Sequence, residues 1–263
     1  MGGTFSASLA TDGPNDMIRN LLICGLLAGV VGSGLAIAFA EVVGEPAVDK
    51  AITLERSRAG LGATKQDPPM VSRGLQQAVG LPVATLLYGS AVGGLFALAF
   101  AFVYGRVGRV SPAGTAMWLA AAAFVVVFLV PFLKYSSNPP GVGLPGTIGL
   151  RSALYATMVA ISLLAAVGAV RIRHLVAMRI ASARATTVAI ASYVAIVVIA
   201  GLVLPTVQEV PPDFPATMLW EFRRSAVGMQ LILWTGIGIT FAILAQRVMA
   251  RSGARAPGAA AGN

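Results

Sequence analysis

Six long runs of this chain hold no charged side chain and no histidine: Leu21–Ala40, Leu81–Gly105, Ala113–Leu133, Ser152–Val170, Ala185–Pro205 and Ser225–Gln246. A helix that crosses the hydrocarbon of a bilayer needs about 20 mostly apolar residues. Lipid offers no partner to a backbone amide, so runs of this length close their hydrogen bonds internally as helices. The expected fold class is all-α: a polytopic transmembrane helix bundle of about six spans, with short amphipathic helices in the outer loops. Only 11% of the residues are charged, against about 25% in a typical soluble domain.

The first run has a second reading. Ala38-Phe39-Ala40 resembles a signal-peptide cleavage site, and cleavage would leave five spans. Against this, the run is longer than a signal core of about 7–15 residues, and Asp12 and Asp16 precede it beside a single Arg19. The domain reading is a cytoplasmic segment at 1–20, a transmembrane bundle at 21–247 and a disordered tail at 248–263, where Gly253–Asn263 is rich in Ala and Gly.

The net charge of +9 follows from topology, because membrane proteins keep Lys and Arg in cytoplasmic loops. The expected partner is the lipid bilayer, with no nucleic acid. Arg171, Arg173, Arg179 and Arg184 crowd one connector, whereas segment 41–80 spreads its five basic residues thinly. Both termini are therefore read as cytoplasmic. Eight of the ten acidic residues then fall on the outer side, beside nine basic ones. Gly25-x-x-x-Gly29 and Gly89-x-x-x-Gly93 let helix backbones approach closely, either within this bundle or between copies in a homo-oligomer.

Three outer stretches stand out. The first runs from Glu41 through Glu45, Pro46 and Asp49 to Glu55. Pro46 suits a first helical turn, and Val48, Ala51, Ile52 and Leu54 give the new helix an apolar side that can lie on the membrane surface. Its acids read as metal ligands or as a solvated helix end. The second, Pro131–Arg151, contains Lys134, Tyr135, Asn138, Pro139, Pro140, Pro145 and four glycines that bar regular structure. It reads either as a re-entrant mouth whose carbonyls meet an ion or as a plain surface loop. The third, Pro205–Arg224, holds Glu209, Asp213 and Pro215, a helix start signal, and then Trp220, Glu221 and Phe222.

Catalysis finds no footing. His174 is the sole histidine and sits among arginines, and Cys24 is the sole cysteine, inside the first run. No metal-ligand spacing, phosphate loop or nucleophile–base set is present. A proton relay of carboxylates through the bilayer is excluded by the uncharged runs. The chain is read as a non-enzyme.

Several motifs resemble the CbtA family of predicted bacterial cobalt transporter subunits. They are Glu45-Pro46-x-x-Asp49, Val71-Ser72-Arg73-Gly74, Tyr104-Gly105-Arg106-Val107-Gly108-Arg109, Val130-Pro131-Phe132-Leu133-Lys134-Tyr135 with Asn138-Pro139-Pro140, Thr147-Ile148-Gly149-x-Arg151, and Glu209-Val210-Pro211-x-Asp213-Phe214-Pro215 with Leu219-Trp220. The resemblance implies a subunit for Co²⁺ uptake in the bacterial cytoplasmic membrane, linked to cobalamin synthesis. It also implies a small single-span companion of the CbtB type with metal-binding histidines. Many members of that family carry histidines in the first outer loop; Gly60–Met70 here has none. The expected cargo is Co²⁺, with no permanently bound cofactor. The expected oxygen ligands are Glu45, Asp49, Glu209 and Asp213, and the expected ion-path mouth is Lys134, Tyr135, Asn138 and Arg151. The alternative is a membrane scaffold or accessory subunit that transports nothing.

Overall fold

A computed structural model describes residues 14–44, 48–50, 52–53, 79–106, 110–139, 142–143 and 145–255. Glu45, Pro46, Val71–Gly74, Val107–Arg109 and the tail beyond Arg255 lie outside the described residues.

Among the described residues, six helices are long and apolar enough to cross a membrane. They are α1 (Pro14–Phe39, continued in π conformation through Ala40–Gly44), α2 (Leu81–Val103), α3 (Pro112–Lys134), α4 (Ile148–Ala177), α5 (Ser182–Val203) and α6 (Ala216–Arg255). Large apolar side chains lie bare on their surfaces: Leu202 is 80% exposed, Trp118 75% and Leu164 72%. A water-soluble fold rarely leaves so much apolar surface open, whereas lipid is its natural solvent.

Two helices differ from the sequence expectation at their ends. The arginine-rich connector is mostly helical: α4 carries Arg171, Arg173 and His174 in its last turns, and only 178–181 separate it from α5. Cations suit a helix C-terminus, and their long side chains let the heads reach polar surroundings while the helix continues. Arg173 Nε also donates to Thr186 Oγ1 of α5 at 3.0 Å. At the other terminus α6 runs on to Arg255, past the expected bundle boundary at 247.

Helix α3 contains a wide turn. Phe124–Leu129 is π-helical, and the Val130 amide donates to the Val125 carbonyl. The cause is Pro131, which has no amide proton and whose ring would collide with the carbonyl four residues earlier. Widening the helix just before the proline relieves that collision.

The chain divides into two compact units. The first comprises Met1–Leu35, Arg73–Ala120 and Thr235–Asn263; the second comprises Ala36–Ser72 and Ala121–Trp234. In the first, the two glycine motifs pack on each other. A Cβ on Gly89 would lie 2.8 Å from the Gly29 carbonyl oxygen, and one on Gly93 would lie 2.8 Å from Gly29 Cα. Backbone therefore meets backbone, and Ser33 satisfies its own hydroxyl by donating to the Gly29 carbonyl at 2.7 Å. Phe241 packs edge-on against Phe96 and Phe100, with ring centroids 5.2 and 4.9 Å away.

In the second unit, Ser162 of α4 and Tyr193 of α5 share a hydrogen bond of 2.8 Å. Phe128 and Phe132 of α3 stack obliquely at 5.0 Å. A Cβ on Gly228 of α6 would fall 2.7 Å from Phe39 Cζ, so the small residue admits the ring.

Candidate functional site

The second unit gathers the chemistry-bearing loops at one place. Helix α3 ends at Lys134, and Tyr135 donates its amide to the Pro131 carbonyl at 2.8 Å. Residues 136–139 and 142–143 have no regular structure, as their prolines and glycines dictate. The expectation that Ser136–Gly149 is neither helix nor strand needs one correction. Pro145–Thr147 forms a 3₁₀ turn and α4 begins at Ile148, because proline suits a first turn and the following residues are free to wind on.

This loop is tied to the 205–214 connection by a chain of polar contacts. Lys134 Nζ donates to Thr206 Oγ1 at 3.0 Å, and Tyr135 donates its phenol to the Pro205 carbonyl at 2.8 Å. Burial raises the Tyr135 phenol above its ordinary pKa, so it stays a neutral donor. Arg151 Nη1 lies 2.6 Å from Glu209 Oε2, and Thr147 Oγ1 donates to the other carboxylate oxygen. The Glu209 side chain is 2% exposed, that of Arg151 34%. Gly143 makes room for this pair. Its φ is +122°, and a Cβ there would sit 2.8 Å from Glu209 Oε2.

Helix α6 closes the arrangement. Arg223 reaches the Ser137 carbonyl through Nε at 3.4 Å and Asn138 Oδ1 through Nη2 at 3.2 Å. On the same helix Glu221 pairs with Lys50 at 3.0 Å, and Ser225 donates to the Val43 carbonyl at 3.3 Å. These contacts draw the end of α1 and the short helical stretch at 48–50 toward α6. Ile52 is buried there, in keeping with an apolar helix side.

Between these elements lies a cavity of about 890 Å³. Helices α3 and α6 wall it with Phe128, Phe132, Leu219 and Met229, and its polar lining includes Lys134, Asn138, Arg151, Gln208, Glu209 and Arg223. Its volume is that of a ligand pocket rather than of a packing defect.

All four residues of the expected mouth, Lys134, Tyr135, Asn138 and Arg151, line this cavity. Of the expected ligands, Glu209 lines it too, but its carboxylate is already engaged by Arg151 and Thr147. Asp49 and Asp213 are exposed and lie outside the lining. Among the described residues no three His, Cys, Asp or Glu side chains converge in a group able to hold a metal ion. Sequence reasoning passed over Arg223 and Gly143. An arginine just before an apolar run was the available signal for the first; only the positive φ reveals the second.

The family model for CbtA, described as a probable cobalt transporter subunit, matches residues 18–246. No match is found among curated proteins or among solved structures.

Proposed function

Because the chain belongs to the CbtA family of probable cobalt transporter subunits, we propose that it is the membrane-embedded subunit of a Co²⁺ uptake system in a bacterial cytoplasmic membrane, supplying cobalamin synthesis. The family match over nearly the whole bundle carries this reading. The physical case is consistent with it. A divalent ion cannot enter hydrocarbon uncompensated, and the six apolar runs hold no Asp or Glu to compensate it. Recognition by charge therefore belongs to the loops. Glu45, Asp49 and Asp213 are the proposed oxygen ligands for the arriving ion. Glu209 joins them only by exchanging Arg151 for the metal. Lys134, Tyr135, Asn138 and Arg151 shape the mouth.

Oxygen ligands discriminate poorly among Mg²⁺, Mn²⁺ and Co²⁺, whereas imidazole favours the later metals. With His174 the only histidine, selectivity falls to a companion subunit of the CbtB type that brings histidines on a single span. The test is Co²⁺ flux into liposomes holding the chain alone, the companion alone, or both. Uptake is expected with both. Flux that is the same with the companion alone as with the pair would make this chain a non-transporting scaffold.

A further inference from the structure

The cavity of the second unit has the wrong sign for a bare cation. Among the described residues, three cationic side chains line it, Lys134, Arg151 and Arg223, and a single carboxylate, Glu209, which Arg151 already neutralises. Among the described residues no carboxylate lies within ion-pair range of Lys134 or Arg223. Arg223 is half-buried, and among the described residues its guanidinium hydrogen-bonds to neutral oxygens, those of Ser137 and Asn138. A cation withdrawn from water without a counter-charge is costly. Two polar atoms of lining residues, Arg151 Nε and Ser137 Oγ, are also buried without a hydrogen-bond partner.

From this geometry we infer that the cavity is an oxyanion-binding site for a phosphate-class group carrying about two negative charges. Arg223 and Lys134 supply the net charge. A guanidinium held in place by a carbonyl and an amide is pre-organised for phosphate, whose oxygens it meets with paired N–H groups. The inference does not depend on Co²⁺ being the cargo. The phosphate has two possible sources. Apolar walls from Phe128, Phe132 and Leu219 suit a lipid headgroup entering with its glycerol end, while the polar loops suit a soluble phosphate.

The experiment uses the full chain. In neutral detergent, inorganic phosphate is titrated and thermal unfolding is followed, with sodium chloride at matched ionic strength as the control. In nanodiscs, phosphatidylcholine alone is compared with phosphatidylcholine plus phosphatidic acid, whose phosphomonoester can carry two negative charges. Stabilisation by phosphate beyond the chloride control identifies the soluble source. Stabilisation by the anionic lipid only identifies the headgroup. Arg223→Gln and Lys134→Gln should each weaken the response about tenfold, and Arg223→Lys should retain part of it. If Arg223→Gln does not fold, Lys134→Gln carries the comparison, because that side chain is only half-buried and its partner is a hydroxyl. No stabilisation by either source, or an undiminished response in a folded variant, overturns the proposal.

Discussion

Arg151, in the first turn of α4, donates to Glu209 at 2.6 Å, and the carboxylate it holds is almost wholly withdrawn from solvent. That pair joins the start of a span to the distant 205–214 connection. Removing the arginine strands a buried negative charge, whereas removing both charges does not. Arg151→Met should destabilise the protein by roughly 3 kcal/mol, the low end for a buried pair because Arg151 is a third exposed. The double variant Arg151→Met/Glu209→Gln should recover most of that loss. Unfolding in detergent measures both, and a double variant no better than the single one would remove the pair from the stability of the site.

Gly143 is constrained twice, by its positive φ and by the carboxylate beside it. Gly143→Ala therefore combines backbone strain with a collision against Glu209 Oε2. A loss of about 1–3 kcal/mol is expected, together with weaker protection of the 142–147 segment from hydrogen exchange. Gly146, which has open space around it and no positive φ, should accept alanine with little change.

The glycine contact in the first unit allows a sharper comparison. Gly29→Leu or Gly89→Val forces apart backbones that touch, at a cost of about 1–3 kcal/mol or more. Gly34 lies on the same helix and has nothing within 4 Å, so Gly34→Ala should be neutral or raise stability by up to about 1 kcal/mol through helix propensity. Equal melting temperatures for the Gly29 and Gly34 variants would contradict the packing.

Much of this fold was legible in the sequence, because an uncharged run about 20 residues long has few alternatives in physics. The glycine spacings likewise announced a close approach, and the structure shows them meeting each other. What escaped were relationships without local signal. Arg223 reaches Asn138 across 85 positions, and nothing near either residue marks the other. Glu209 read as a metal ligand because acids in a loop suggest cations, yet its partner Arg151 lies 58 residues away. The π turn at Phe124–Leu129 was implicit in Pro131, but a proline inside an apolar run predicts a kink or a break equally well.

The basic residues at the α4–α5 end are the reason for expecting both termini in the cytoplasm. The structure selects the reporter positions. Ser137 is a poor one, since its hydroxyl is buried, whereas Gly146 and Ser182 are exposed. In a Cys24→Ser background, Gly146→Cys should react with an impermeant thiol reagent on intact cells and Ser182→Cys only after permeabilisation. The reverse pattern would invert the topology and place the cavity on the cytoplasmic side.

The acids of the loop end give the most direct test of cobalt handling. Asp49 is exposed, so its replacement by asparagine should leave stability within about 0.5 kcal/mol. Glu45→Gln with Asp213→Asn removes two formal charges from the proposed entry point at little steric change. If these groups receive the hydrated ion, Co²⁺ uptake by cells expressing the chain with its companion should fall roughly tenfold, with membrane abundance unchanged. Glu209→Gln has a separate expected signature: Arg151 loses its partner, so abundance and uptake should fall together. Uptake that persists in the Glu45/Asp213 variant would take both residues out of the ion path. Recognition would then rest with the histidines of the proposed companion and the backbone oxygens of Asn138–Gly149.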